Sequence, residues 1–195
     1  MSLTLDPRTT ALVLIDMQKG ILGMPLAPYG AAQLVENAVA LGKRLKEAGG
    51  SVVLVNVAFA NDHADRLSQE VDAPMQVRPG GMPAEWSEFV PEIASLQMDV
   101  VITKRQWSAF HGTELDLQLR RRGITTIVLG GVATNFGVES TARDAWQHNY
   151  AVVIAEDACA SMGADLHEFS VEKILRRVAR VRSTAEILAG LSGGR

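Results

Sequence analysis

The stretch Ile127-Val128-Leu129-Gly130-Gly131-Val132-Ala133-Thr134-Asn135-Phe136-Gly137-Val138-Glu139 leaves the chain few folds to choose from. A short apolar, β-branched run ends at two glycines, and Val138, Ala142 and Ala145 then fall at i, i+4, i+7, the spacing of one helix face. A buried strand running through a tight turn into a helix places the helix's first backbone N–H groups at the junction. There they and the positive end of the helix dipole favour an anion or a developing negative oxygen. An ordinary βα turn has the same pattern, so the rest of the chain must decide.

Ala11-Leu12-Val13-Leu14-Ile15 is a second continuous apolar run, the pattern of a strand buried on both faces of a parallel sheet, and it ends in Asp16. Leu34, Ala38, Leu41 and Leu45 recur at helical spacing, with Gly49-Gly50 as the stop before a second strand, Ser51 to Val57. Ala58 to Trp86 contains Pro74, Pro79, Gly80, Gly81 and Pro83 and reads as a long irregular loop, of the kind that forms lids and binding walls. A short helix over Ser87 to Leu96 precedes a third strand, Asp99 to Thr103, with Lys104 at its end. Thr113 and Asp116 suggest a capping pair for a helix through Leu115 and Leu119, followed by strands Ile124 to Leu129 and Tyr150 to Ala155. A further helix carries Val171, Ile174, Leu175 and Val178. Ala179 to Arg182 adds a sixth, edge strand, and Ser183 with Glu186 forms a capping box for a last helix through Leu191.

Strands alternating with helices in this way predict a three-layer α/β/α sandwich on a six-stranded parallel sheet, with ligands outside the carboxyl ends of the strands. A length of 195 residues fits one domain spanning 1–195, and 47% hydrophobic content suffices for its core. A net charge of -3 excludes the basic surplus of a nucleic-acid binder and points to a small-molecule substrate. The single cysteine, Cys159, excludes an intramolecular disulfide framework and zinc-type cysteine clusters, and fits a reducing cytosol; flanked by alanines, it reads as a small buried hydrophobe. No window reaches the length of a membrane span and no export signal is visible, so a cytoplasmic location is expected.

Asp16 and Lys104 hold equivalent positions at two strand ends, and the turn ending in Gly137 lies at a third. A lone aspartate after a strand is usually a turn or cap residue, and a lone lysine is usually surface; their shared position is what singles them out. If they face each other, Lys104 orients the carboxylate and Asp16 shuttles a proton. Adjacent Asp62-His63 lacks a ligand spacing, and Gly130-Gly131 through Gly137 matches neither dinucleotide fingerprint nor P-loop, so neither metal nor nucleotide cofactor is expected. Arg120-Arg121-Arg122 at a helix C-terminus complements the helix dipole and carries no nucleic-acid role.

Leu14-Ile15-Asp16-Met17-Gln18, Lys104-Arg105-Gln106-Trp107-Ser108-Ala109-Phe110 and Gly131 through Ala142 together resemble the isochorismatase-like (cysteine hydrolase) superfamily, in its order and over nearly the whole chain. The resemblance implies the six-stranded α/β sandwich. It carries the Asp and Lys of the amidase members' Asp–Lys–Cys triad onto Asp16 and Lys104, and puts Gly137 where those members have the nucleophilic cysteine. It implies a cis peptide between Val132 and Ala133, substrate-binding or oxyanion roles for Val132, Ala133, Thr134, Phe136, Gln18, Trp107 and Phe110, and a homo-oligomer in which Trp86, Phe89 or Trp146 makes a subunit contact or pocket wall.

True isochorismatases are similar to this chain in having glycine at that position and in the run Ser108-Ala109-Phe110-His111. They cleave a vinyl ether without a covalent intermediate. Their tyrosine and histidine before the glycine correspond here to Ala133 and Asn135, which counts against isochorismate itself as substrate. The expectation is a hydrolase working by Asp16/Lys104 acid–base catalysis, of the vinyl-ether type. Two alternatives stand beside it: a binding module that lost its nucleophile, and an amide hydrolase in which Asp16 activates water.

Overall fold

The computed structural model describes residues 3–74 and 81–192. Six strands, β1 (Thr10–Ile15), β2 (Ser51–Val57), β3 (Val100–Lys104), β4 (Thr126–Val132), β5 (Ala151–Ala160) and β6 (Arg180–Arg182), form one parallel sheet in the order β3-β2-β1-β4-β5-β6. The helices are α1 (Lys19–Leu22), α2 (Ala31–Glu47), α3 (Pro91–Ala94), α4 (Leu115–Arg121), α5 (Glu139–Gln147), α6 (Ala164–Phe169) and α7 (Thr184–Ser192). No helix among the described residues is long and apolar enough to cross a membrane.

Alternation along β1 sorts the two layers. Leu12 and Leu14 join Leu34, Ala38, Leu41 and Leu45 of α2 and Ile187 and Leu191 of α7 on one face. Ala11, Val13 and Ile15 join Leu115, Leu119, Ala142, Ala145, Val171 and Leu175 on the other. A strand buried on both faces has no polar side to show, which is why the run reads as continuously apolar. The order reverses between β1 and β4, and in folds of this kind ligands bind beyond the strands' carboxyl ends at such a switch point.

Several boundaries differ from the sequence expectation, each for a local reason. The helix placed over Ser87–Leu96 shrinks to α3, because Pro91 supplies no N–H, is suited to a first helical position, and holds Val90 extended (ψ 151°). β4 does not stop at Leu129; Gly130 and Gly131 pair with Leu14 and Ile15, and the strand runs to Val132. β5 likewise runs past Ala155 to Ala160. Its register against β4 jumps from Leu129↔Ile154 to Gly131↔Cys159, a bulge that throws Glu156 and Asp157 out of the ladder. Asp157 then accepts from the Thr184 N–H and hydroxyl at the start of α7, beside the Ser183–Glu186 capping box. Pro79 and Gly80 of the long loop lie outside the described residues.

Candidate active site

β1 ends where Asp16 leaves the extended region at φ 53°, uncommon for a non-glycine residue, with its N–H bound to Val55 O on β2. The turn aims its side chain at Lys104, the last residue of β3, and Lys104 Nζ donates to Asp16 Oδ2 at 2.6 Å. Both side chains are buried, Lys104 3% and Asp16 8% exposed. Burial pushes the Asp16 carboxyl up to about 6 against the opposing pull of the lysine's charge and hydrogen bond. The other oxygen, Oδ1, is buried without a hydrogen-bond partner in the protein. A buried acceptor with nothing to accept costs free energy, so Oδ1 is an unsatisfied acceptor beside the ion pair.

The end of β4 supplies the second wall. Gly131 sits at φ 127°, where a Cβ would lie 2.0 Å from Ile15 O, so only glycine lets the two central strands approach this closely. The Val132–Ala133 peptide is cis. From there the chain enters a wide π-type turn, Thr134–Val138, continuous with α5. A Cβ at Gly137 would lie 3.5 Å from Asp16 Oδ2, 3.4 Å from Val132 O and 3.0 Å from Ile15 Cγ2. A side chain at 137 would therefore press on Ile15 Cγ2 and stand in ordinary contact with the carboxylate; glycine leaves that volume to other atoms.

Of the remaining expected site residues, Val132, Ala133, Thr134 and Phe136 lie along this wall. Phe136 and Trp107 are both exposed and meet at 4.8 Å between ring centroids, forming an aromatic rim. Two residues take other roles. Gln18 is fully buried, its amide donating to Val57 O and Trp86 O while its oxygen accepts from Val57 N; it fastens both ends of the 58–86 loop and has no N–H left for a ligand. Phe110 packs on His148 and Tyr150, which precede β5, and is a core residue. Trp86 closes over Gly20, whose missing Cβ makes room for the indole, and Phe89 packs on the α2-side core; Trp146 is exposed.

Asp62 Oδ1 caps the Ala64 N–H in a tight turn of the loop. The described residues hold no group of three or more His, Cys, Asp or Glu side chains placed to bind a metal.

A second polar cluster, which the apolar patterning of the sequence does not announce, lies behind the turn. Tyr29, Glu156, His167 and Thr134 form one hydrogen-bonded chain. Glu156 could have been found by the logic that found Asp16 and Lys104, since it follows the apolar run Val152–Ala155; His167 and Tyr29 carry no such signal. Thr141 was also missed. Its hydroxyl donates to Gly137 O and accepts from Ala109 N, tying the segment after β3 to the start of α5.

Cys159 is fully buried opposite Gly131, and burial pushes its thiol far above the ordinary cysteine range, so it holds no thiolate. Cys159→Ser is accordingly expected to keep hydrolase activity within about tenfold of wild type, ~1.4 kcal/mol in the barrier. Complete loss in a folded variant would show the thiol to be chemical.

Residues 10–186 match the isochorismatase domain. The chain is 47% identical over 189 residues to the isochorismatase family protein YecD of Escherichia coli O157:H7, covering 97% of this chain and 100% of that one. It is 28% identical to the ureidoacrylate amidohydrolase RutB of Cronobacter sakazakii, covering 96% and 92% respectively. Among solved structures, an isochorismatase family protein from Burkholderia thailandensis superposes with a TM-score of 0.92 at 41% identity, over 98% of this chain and 100% of that one.

Proposed function

The chain belongs to the isochorismatase family and is a hydrolase, and on that premise we propose that it cleaves an enol-ether bond in a small molecule by proton transfer from Asp16, with no covalent intermediate on the protein. The observation that carries the reading is the Asp16 carboxyl itself: one oxygen held by Lys104, the other buried and unpartnered, beside a residue with no side chain. A carboxyl raised to about 6 retains its proton to higher pH than an ordinary aspartic acid, as a general acid must. Protonation of the enol-ether carbon forms a C–H bond and an oxocarbenium ion, which the Asp16 carboxylate faces. Water adds, its proton returns to the carboxylate, and the hemiketal collapses to a ketone and an alcohol. Lys104 holds Oδ2 and orients the carboxyl for the transfer. Trp107 and Phe136 offer an apolar rim for the rest of the molecule.

A second reading, amide hydrolysis by water that ionised Asp16 activates, is favoured by the 28% identity to an amidohydrolase. The two have opposite pH dependence. Acid catalysis needs the protonated carboxyl, so kcat on an enol ether should be highest below about pH 6 and fall about tenfold per unit above it. Base catalysis of an amide should rise through the same pH. The measurement is a pH–rate profile on any hit from a panel of enol ethers and small amides, ureidoacrylate included. A profile flat between pH 5 and 8 would remove Asp16 from the proton transfer; tight binding without turnover of any panel member would replace the enzyme with a binding module.

A further inference from the structure

Glu156, on the bulge of β5, accepts the Tyr29 hydroxyl at 3.0 Å to each oxygen and contacts His167 Nε2 at 2.9 Å. His167 Nδ1 lies 2.8 Å from Thr134 Oγ1. The hydrogen bonds from His167 and Tyr29 hold the Glu156 carboxyl below its usual range, so it is an anion that only accepts, and the Tyr29 phenol, pushed up to about 12 by burial and that carboxylate, keeps its proton and donates. Nε2 must then carry a proton. When Nδ1 is bare the Thr134 hydroxyl donates to it, whereas the directions of the Tyr29–Glu156 and His167 Nε2–Glu156 bonds follow from the carboxylate itself.

This carboxylate–imidazole–hydroxyl order is that of a hydrolytic triad, yet the Thr134 side chain is 0% exposed. Its place in the backbone matters more. Thr134 opens the turn in which Phe136 and Val138 N–H both bind Ala133 O and in which Gly137 faces Asp16. Ser170, which directly follows α6, donates from its hydroxyl to Glu139 Oε2 at 2.6 Å at the start of α5 and lies 3.4 Å from Thr134 O, so the segment from His167 to Ser170 holds both ends of the turn.

We propose that His167 and Glu156 are positioning residues of the candidate active site, acting through the Thr134 hydroxyl to fix the turn that carries Gly137 over Asp16. Its kinetic part rests on the proposed chemistry at Asp16; its structural part does not. Nothing in the chain is consumed or transferred. It holds a helix mouth in one orientation because the alternative leaves a buried imidazole nitrogen or hydroxyl unpaired.

The test compares His167→Leu, which removes both bonds, with His167→Gln, whose amide N–H can donate to Glu156 while its oxygen accepts from Thr134. In the wild type, imidazole nitrogen-15 shifts should show Nε2 protonated and Nδ1 bare. In His167→Leu, amide exchange at Phe136 and Val138 should rise by about tenfold or more while the β1 amides stay unchanged, and His167→Gln should recover most of that protection. On any substrate turned over, kcat should fall about tenfold in the leucine variant with KM within about threefold, and glutamine should restore it.

Equal behaviour of the two variants, uniform exchange across the sheet, or the opposite tautomer would overturn the proposal. So would a covalent adduct on Thr134 seen by intact-mass spectrometry, which would make it a nucleophile. If wild type turns over nothing, the reading of Asp16 fails, and exchange and tautomer still decide the role of His167.

Discussion

Asp16→Asn lowers kcat by the ~10²–10⁴-fold typical of a lost general acid or base, with the circular dichroism of a folded protein at the assay temperature. The amide keeps the shape of the carboxylate and an oxygen for Lys104 Nζ, and loses the titratable proton together with the negative charge. Lys104→Met is expected to cost as much in rate and more in stability: it leaves the buried Asp16 carboxylate without its cation, a change worth ~3–5 kcal/mol for a buried pair.

That stability loss has a sign in pH. Since burial already holds the carboxyl at about 6, the variant should be most destabilised above that pH and recover below it, where Asp16 takes up a proton and no buried anion remains. Urea denaturation at pH 5 and pH 8 reads this directly. The double variant should be little slower than either single one, because the two groups serve one proton transfer. Full turnover by Asp16→Asn of every substrate that wild type accepts would refute the mechanism at its centre.

Gly131→Ala should be the most destabilising single methyl in the described protein, at about 4 kcal/mol or more, or should prevent soluble expression. The added Cβ falls 2.0 Å from Ile15 O and 2.7 Å from Ile15 N, backbone atoms of the adjacent central strand, and the φ of 127° is one that side chains rarely adopt. Neither atom can retreat without breaking the β1–β4 ladder. Gly123→Ala is the control: its φ of 67° is also left-handed, but its Cβ would meet nothing within 4 Å, so only the conformational penalty of ~1 kcal/mol applies. Comparable denaturation midpoints for the two variants would mean that close approach of the central strands is not what glycine provides there.

The sequence by itself determined the layered architecture and two of the groups at the candidate site. Ala11–Ile15 and Ile127–Leu129 are apolar without interruption because both faces of each strand are covered, and such runs have visible ends; a charged residue at a run's end, Asp16 or Lys104, is therefore legible as one at the carboxyl edge of the sheet. The α2 and α5 stripes are legible for the same reason, since each helix buries one face.

What only the tertiary structure decided is where polar side chains point. Gln18 sits two residues from Asp16 and looks like a ligand contact, but its amide is taken up by Val57 and Trp86, which the fold brings to it from 39 and 68 residues away. Phe110 follows Lys104 by six residues and turns into the core against His148 and Tyr150. Gly131 reads as a turn and is a strand residue because β1 passes alongside it. Tyr29 and Glu156, 127 residues apart, share a hydrogen bond that no spacing announces. Periodic burial is a local property that leaves a mark every two or 3.6 residues, whereas a hydrogen bond is satisfied by whichever group long-range packing places within 3 Å of it.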